Sequence, residues 1–235
     1  ALKTADDVIK YIKNEAKNLD PIEWYVKSLA KEIAGIVSPY YTDDINEPMV
    51  VRLPDFKTNE HADLLGGRAY EPVEENPMLG DRGAGKYLGA YQKAFLEIDL
   101  KALAYVINEM GYTNIHIEVP FVRTPDEMKA VAKLVKDSGI DIPLQMMFEL
   151  PVNISRATDF FKVADGGQIG SNDLLQLEFG LDRSGGDILP WHIEHLQFRI
   201  QKLIQRRNRE KPNFHLGLCG NLPSTNPEFA KWLVE

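Results

Sequence analysis

The sequence predicts an α/β protein built on a parallel sheet, and three observations support that fold class. Short apolar runs of strand length alternate with amphipathic helical stretches along most of the chain, which is the pattern of repeated β/α units. The 235 residues, 44% hydrophobic and 26% charged, have ordinary globular composition. No repeat, low-complexity tract or Gly/Ser linker marks a boundary. We therefore expect one domain over residues 1–235, in which N-terminal helices in residues 1–47 precede the first strand.

The N-terminal third is predicted to be helical before the first strand begins. Apolar residues recur at helical spacing over residues 8–16 and, after a break at Pro21, over residues 24–37. The short apolar run at 48–52 is typical of a strand, and a Gly-rich loop follows it. Residues 87–110 then predict one or two helices.

Strands and helices alternate through the rest of the chain. Strands are predicted at 115–122, 143–150, 167–170 and 214–219, and helices at 125–138, 154–163, 192–209 and 226–234. The loop around Arg82 is a candidate for a sixth strand. Because the chain starts and ends in helix, six strands fit a (β/α)8 TIM barrel that lacks its first and last strands. A doubly wound open sheet is the alternative, since periodicity alone does not distinguish the two.

Charge and cysteine content exclude several classes of protein. A net charge of −8 argues against a general nucleic-acid or anionic-membrane surface. No stretch approaches the roughly 18 apolar residues that a membrane helix needs. The single cysteine, Cys219, has no partner for an internal disulfide and does not suffice for a cysteine-based metal site. We expect a soluble, cytoplasmic protein with no nucleic-acid or membrane partner.

Polar side chains directly follow the predicted strands, where parallel β/α proteins gather their ligands. These strand-end residues are Arg52, Arg82, Arg123, Glu149, Asn172, Asp173 and Cys219. Several arginines at one edge would bind a phosphate or carboxylate through bidentate contacts. A single arginine in such a place is more often part of an ion pair between loops.

Two carboxylates, Glu149 and Asp173, end neighbouring predicted strands. Oxygen ligands with no Cys or His nearby in sequence suit Mg²⁺ or Mn²⁺, with substrate and water completing the coordination. The alternative is that Asn172 or Asp173 caps the turn after residues 170–171. The sequence does not separate these two interpretations.

The remaining polar features favour structural interpretations, with one exception. Most lone cysteines are inert core residues, but a position before Gly220 at a strand end fits an acid/base or a nucleophile for Cys219. His192 and His195 have metal-ligand spacing, yet a solvated helix face is the favoured interpretation. The basic run at 205–211 is typical of a helix C-terminus.

Several longer stretches resemble the phosphoenolpyruvate synthases, within the wider family of phosphoenolpyruvate-utilising enzymes. In chain order the matching stretches are residues 51–60, 70–80, 82–85, 120–124, 169–174, 180–183, 217–220 and 223–224. The resemblance as a whole covers nearly the entire chain, from about residue 20 to the last residue. The resemblance implies a phosphoenolpyruvate/pyruvate-binding TIM barrel. In such enzymes ATP phosphorylates a histidine on a mobile domain, and this phosphoryl group passes to pyruvate.

The resemblance also implies roles for the matching residues. Three arginines would bind the phosphoryl group and the carboxylate, and they are Arg52, Arg82 and Arg183. Glu149 and Asp173 would hold Mg²⁺, with Mn²⁺ as a second candidate, and Asn172 would contact the substrate. Cys219 would be the acid/base at the substrate methyl or methylene carbon. No role is implied for Arg123.

The chain departs from the synthase pattern at four positions. Phe148 stands where a cysteine is usual, Leu175 where a threonine is usual, Ser184 where an aspartate is usual and Asp81 where an aromatic residue is usual. The departures around Leu175 and Ser184 permit a related phosphotransferase with another acceptor. A second alternative is a catalytically idle phosphoenolpyruvate-binding or regulatory module, although the retained arginines, both carboxylates and Cys219 argue against it.

The resemblance further implies partners. ATP and the phosphohistidine would be supplied by ATP-grasp and phosphohistidine domains outside this chain. Because an incomplete barrel has unpaired sheet edges, we also expect a homo-oligomer.

Overall fold

The computed structural model describes residues 5–17, 19–42, 44, 47–182 and 187–235, and it has an α/β fold. The strands are β1 (Met49–Arg52), β2 (Ile115–Val119), β3 (Leu144–Phe148), β4 (Gly166–Gly170) and β5 (His215–Cys219). The helices are α1 (Ala5–Ala16), α2 (Pro21–Val37), α3 (Thr58–Ala62), α4 (Gly83–Tyr87), α5 (Ala90–Ala104), α6 (Pro125–Asp137), α7 (Pro151–Ser155), α8 (Ala157–Phe160), α9 (Ser171–Phe179), α10 (Pro190–Glu210), α11 (Leu222–Thr225) and α12 (Pro227–Val234). A π-helical turn, Tyr105–Glu109, continues α5.

The five strands follow chain order in one sheet, β1-β2-β3-β4-β5. β4 pairs in parallel with β3 on one side and with β5 on the other. The five clearly predicted strands are therefore confirmed. The five strands of the described residues do not by themselves make an eight-stranded barrel, so the complete TIM barrel stays a prediction.

The chain divides into two compact units. One contains the residues up to Ile117 together with Ala130–Ile142, and the other contains Glu118–Lys129 and Pro143–Glu235. The expectation of one domain over residues 1–235 is not tested by this division and stays a prediction.

Packing of α2 against α5 organises the first unit. Asp20 caps α2, its side chain accepting hydrogen bonds from the backbone N–H groups of Ile22 and Glu23. Small buried residues such as Ala30 on α2 allow close approach of the neighbouring helix. The Tyr25 hydroxyl of α2 donates a hydrogen bond of 3.0 Å to Asp99 of α5.

A cluster of phenylalanines forms the core of the second unit. Phe148, at the end of β3, contacts the rings of Phe160, Phe161 and Phe214 with centroid separations of 5.9–6.4 Å. A Cβ on Gly167 would lie 2.6 Å from the Phe148 ring, so the glycine leaves room for it. Because side chains alternate along a strand, Phe148 faces this core while Glu149 faces the other side. The first departure from the synthase pattern is thus a core residue.

Two predicted elements differ in the structure. Arg82 does not lie in a strand; it directly precedes α4, because Gly83 turns the chain with a φ of 60°. The helix predicted at 154–163 is two short helices, α7 and α8, separated at Arg156 with φ −110° and ψ 26°. Among the described residues, no helix combines the length and apolar character needed to cross a membrane.

Candidate functional site

The register of the second unit brings two predicted site residues, Glu149 and Cys219, to the two sides of Gly170. Phe148 pairs with Ile169, so the next residue, Glu149, follows beside Gly170, and Gly170 pairs with Cys219. A Cβ on Gly170 would lie 2.8 Å from both Cβ and Oε2 of Glu149. The absence of a side chain at the end of β4 therefore leaves the Glu149 carboxylate its space between the strand ends.

The Glu149 carboxylate is buried and oriented by the backbone. It is 1% exposed, and its Oε1 accepts a hydrogen bond of 2.6 Å from the backbone N–H of Phe121. Phe121 has a φ of 49°, in the left-handed region that few non-glycine residues adopt. Such strain persists only where the surroundings hold it, and it is typical of functional sites.

The first turn of α9 carries Asn172 and Asp173. Gly170 is the residue that precedes the helix, and no side chain caps it. The interpretation of Asn172 or Asp173 as the N-cap is therefore wrong, since both already lie inside the helix. Asp173 is buried at 7% exposure, and Oδ1 of Asn172 accepts a hydrogen bond from the backbone N–H of Asn221.

Cys219 ends β5 beside these residues and is exposed. Its Sγ lies 3.9 Å from Sδ of Met147, which shares a face of β3 with Glu149 two residues later. Ser171 Oγ donates a hydrogen bond of 3.1 Å to the Cys219 carbonyl. Gly220 has a φ of 137°, and a Cβ there would lie 2.0 Å from Ser171 Oγ, so a side chain after the thiol would displace this contact.

The donor chemistry of this cluster fits a hard divalent cation. Two buried carboxylates, Glu149 and Asp173, lie at the end of β3 and in the first turn after β4, and Mg²⁺ or Mn²⁺ prefers such oxygen ligands. Within the described ranges, no three His, Cys, Asp or Glu side chains come together as a metal site. If such a cation binds here, Glu149 and Asp173 would be its protein ligands, and substrate and water would complete its coordination.

The arginines of the first unit have different surroundings. Arg52 ends β1 and is exposed. Arg82 is 1% exposed, and its guanidinium makes a two-pronged ion pair with Asp55, at 3.2 Å from Nε and 2.5 Å from Nη2. It also donates to the Met78 carbonyl. The loop after β1 and the start of α4 are therefore joined through a buried charge pair.

Glu74 organises the loop that leads to Arg82. Its carboxylate accepts hydrogen bonds from the Asp81 backbone N–H, at 2.9 and 3.2 Å, and from Thr58 Oγ1, at 2.8 Å. Gly80 permits this arrangement, because a Cβ there would lie 2.0 Å from Glu74 Oε1. Asp55 and Glu74 were missed as candidates, although both fall in the stretches that resemble the synthases.

Glu71 is a second buried carboxylate in the same loop region. It bonds His61 Nδ1, and its other oxygen accepts from Lys86 Nζ at 2.8 Å. Charge pairs therefore join parts of the long segment between β1 and α5 that are separated by its short helices.

Four other positions from the sequence analysis have separate outcomes. Arg183 and Ser184 lie outside the described residues. The guanidinium of Arg123 stacks 4.8 Å from the Phe121 ring centroid, and its backbone N–H donates to Glu127. His192 is not on a solvated face: it is buried, and its Nδ1 accepts from the Leu189 backbone N–H because the ring folds back over the start of α10.

Four basic residues of α10 line a cavity of about 260 Å³ beside α7, and they are Arg199, Lys202, Arg206 and Arg209. Arg199 donates to the Pro151 carbonyl and Arg206 to the Ser155 carbonyl, so both hold the carbonyls of α7. Arg207 and Arg209 lie in the last turn, as the prediction of a helix C-terminus at 205–211 requires.

Comparison with known proteins gives a family for this arrangement. The family model described as PEP-utilising enzyme, PEP-binding domain, matches residues 14–235. The chain belongs to this family. The resemblance found in the sequence motifs is thereby confirmed.

Three curated relatives of the chain are named phosphoenolpyruvate synthase. The chain is 42% identical over 221 residues to a phosphoenolpyruvate synthase of Neisseria meningitidis, covering 92% of this chain and 27% of that protein. It is 40% identical over 223 residues to the Pseudomonas aeruginosa phosphoenolpyruvate synthase, covering 92% and 28%. For the Escherichia coli enzyme the values are 38% over 247 residues, covering 100% and 31%. The chain thus spans less than a third of the length of these curated relatives.

Proposed function

We propose that this chain is the part of a phosphoenolpyruvate synthase-like phosphotransferase that binds pyruvate and phosphoenolpyruvate with Mg²⁺. In this proposal a phosphoryl group moves between a phosphohistidine and pyruvate. The observation that carries it is the adjacency of Glu149, Gly170 and Cys219 at three neighbouring strand ends. ATP-grasp and phosphohistidine domains of the parent protein would supply ATP and the phosphohistidine.

Cys219 is assigned to the carbon chemistry of the reaction. The exposed Cys219 lies on the same face of the sheet as the Glu149 carboxylate. Between them is Gly170, which has no side chain and so leaves space for that carboxylate. As thiolate, Cys219 takes a proton from the methyl carbon of pyruvate, and the carbon–hydrogen electrons pass into the enolate. In the reverse direction phosphoenolpyruvate first gives its phosphoryl group to the histidine, and the thiol then returns this proton to the methylene carbon of the resulting enolate.

The phosphoryl step follows from the enolate. The enolate oxygen attacks phosphorus, the nitrogen–phosphorus bond of the phosphohistidine breaks, and the nitrogen keeps the electron pair. Arg52, Arg82 and Arg183 are assigned to the phosphoryl oxygens and the carboxylate, where fixed positive charge offsets charge that develops during transfer. Asn172 is assigned to the substrate.

Glu149 and Asp173 are the residues that would hold the metal. When bound, Mg²⁺ supplies a Lewis acid that stabilises negative charge on the substrate oxygens. The two carboxylates leave most coordination positions to substrate and water, as is usual for Mg²⁺ at phosphoryl-transfer sites. We extend the proposal to the fold and assembly: a (β/α)8 barrel of the phosphoenolpyruvate/pyruvate-binding type, in a homo-oligomer.

Calorimetry with oxalate tests the proposal directly. Oxalate has the planar oxygen pair of the pyruvate enolate, so it should bind the intact protein with Mg²⁺ and at least tenfold more weakly without it. Glu149→Gln should abolish the metal-dependent part, because an amide oxygen is a much weaker ligand than a carboxylate. Asp126→Asn, at an exposed carboxylate of α6, is the matched control and should bind as the wild type does.

Other outcomes would contradict the proposal in different ways. Oxalate affinity that is the same with and without Mg²⁺, and the same in Glu149→Gln as in the wild type, would indicate a catalytically idle binding module. Metal-dependent oxalate binding, with phosphohistidine that is not discharged by pyruvate, would indicate a related phosphotransferase with another acceptor.

A further inference from the structure

A fully buried asparagine lies four residues after the predicted metal ligand Glu149. Asn153, in α7, is 0% exposed, and its carboxamide makes three hydrogen bonds. Oδ1 accepts from the backbone N–H groups of Glu149, at 3.2 Å, and Leu150, at 2.9 Å. Nδ2 donates to the Val122 carbonyl at 2.8 Å. One side chain therefore joins the end of β3 to the turn after β2.

The same turn also bonds the Glu149 side chain. Phe121, next to Val122, donates its backbone N–H to Glu149 Oε1. The hydrogen bonds thus form a closed ring that runs from the Glu149 backbone through Asn153 and the turn and returns to the Glu149 carboxylate. Because Phe121 is held at a positive φ, its N–H would not keep this direction without support from its neighbours.

Helix capping alone does not account for this arrangement. An asparagine that only satisfied the start of α7 would use Oδ1, as Asn153 does with Leu150. The amide nitrogen would then be expected to face solvent. Instead it donates to a carbonyl 31 residues earlier in the chain, in a buried environment. A donated bond of this kind fixes the separation between the two strand ends.

We propose that Asn153 is a positioning residue for Glu149, and this rests on the proposed function, in which Glu149 binds the metal. Asn153 holds the turn against the end of β3 and so directs Oε1 of Glu149 toward the Phe121 N–H. Oε2 of Glu149 then lies beside Gly170, 2.8 Å from where a Cβ of that residue would be. Residues that orient a ligand through hydrogen bonds typically change metal affinity about 10- to 100-fold when they are removed. Nothing in the sequence marks Asn153 as more than a turn residue.

Titration of the intact protein with Mn²⁺ alone, read as free Mn²⁺ by electron paramagnetic resonance, tests the proposal without any turnover. The relevant Mn²⁺ site is the one that the Glu149→Gln variant no longer has. Asn153→Ala should weaken this site about 10- to 100-fold. Asn114→Ala is the matched control, because Asn114 likewise ties backbone segments together, donating to the carbonyls of Thr42 and Asp44. It should leave Mn²⁺ affinity unchanged.

Asn153→Asp keeps the experiment decisive if the alanine variant does not fold. Aspartate still accepts the two backbone N–H groups but has no donor for Val122. An added carboxylate would by itself attract a cation, so weaker Mn²⁺ binding in this variant identifies lost geometry as the cause. Wild-type affinity in Asn153→Asp, with the site still lost in Glu149→Gln, would overturn the positioning role and leave the proposed function standing. Mn²⁺ binding that is unchanged in Glu149→Gln would instead overturn the proposed function.

Discussion

Gly170 determines how much room the Glu149 carboxylate has. Gly170→Ala would place a Cβ 2.8 Å from Cβ and Oε2 of Glu149 and from Cε of Met147. We expect metal-dependent oxalate binding to weaken at least tenfold in calorimetry, because the carboxylate must move. The added methyl in a packed site should also lower the free energy of unfolding by about 1–3 kcal/mol.

Gly35→Ala is the control for this substitution. Gly35 lies in α2, and a Cβ there has nothing within 4 Å outside its own helix. This variant should bind oxalate normally and gain about 0.5–1 kcal/mol of stability, since alanine favours a helix interior more than glycine does. Normal oxalate binding by Gly170→Ala would contradict the assignment of Glu149 to the site.

The buried ion pair between Arg82 and Asp55 gives a second prediction for a single residue. Both side chains are nearly inaccessible, at 1% and 9% exposure. Asp55→Ala would leave the guanidinium buried without its partner, which typically costs about 3–5 kcal/mol in urea unfolding. Asp63→Ala, which removes the exposed partner of Arg68, should leave stability nearly unchanged. Equal effects of the two variants would show that the buried pair does not stabilise the loop.

Residue chemistry at strand ends was predictable from the sequence, whereas its supporting contacts were not. Glu149, Asp173 and Cys219 follow apolar runs, so the rule for parallel sheets finds them. Asn153 and Asp55 act through bonds to residues 31 and 27 positions away, and no local pattern encodes such partners. The motif stretches contained Asp55, but only the structure pairs it with Arg82.

The contact between α2 and α5 contains a carboxylate whose titration affects stability. Burial raises the pKa of Asp99 above its ordinary value of 3.8, while the hydrogen bond from Tyr25 and the nearby His61 act in the opposite direction. Because the folded chain keeps this proton to a higher pH than the unfolded chain does, ionisation of Asp99 lowers stability above its folded pKa.

Asp99→Asn should therefore raise the unfolding temperature at pH 7, since an amide oxygen still accepts the Tyr25 hydroxyl and carries no charge. The difference from the wild type should shrink as the pH falls through the folded pKa, where the folded aspartate takes up its proton, and should be smallest below 3.8, where the aspartate is protonated in both states. Thermal unfolding followed by circular dichroism between pH 4 and pH 8 measures this. A lower unfolding temperature at pH 7 would show that the ionised group stabilises the helix pair.

At the level of elements, periodicity predicted long units better than short ones. α10 and α6 extend over the predicted ranges within two residues. The prediction of one helix at 154–163 was wrong, because the apolar residues of this range belong to two short helices that are separated at Arg156. The loop around Arg82 was a candidate for a sixth strand, but Gly83 turns the chain into a helix there.

Ligand binding should stabilise the folded state of the whole molecule. A ligand that binds only the native protein adds about 2.7 kcal/mol when present at one hundred times its dissociation constant. Mg²⁺ with oxalate should therefore raise the unfolding temperature of the wild type by a few degrees. The same mixture should leave the unfolding temperature of Asp173→Asn almost unchanged. A rise of equal size in that variant would remove Asp173 from the site.

Alternation of strand and helix was sufficient to predict the α/β class and the five strands. It was not sufficient to predict closure of the sheet, because hydrophobic spacing describes each element and not the pairing of the outermost strands. The division into two compact units likewise had no signal, since the sequence has no linker at residues 117–118 or 142–143.

Exchange of pyruvate methyl protons with deuterated solvent, followed by nuclear magnetic resonance, tests the central claim most directly. The intact protein with Mg²⁺ should exchange these protons, because enolate formation is reversible before phosphoryl transfer. Cys219→Ala should lose the exchange at least 100-fold, within the range that acid/base catalysis contributes, while oxalate still binds with Mg²⁺. Exchange at the wild-type rate in Cys219→Ala, with oxalate binding intact, would contradict the claim that this thiol acts on carbon.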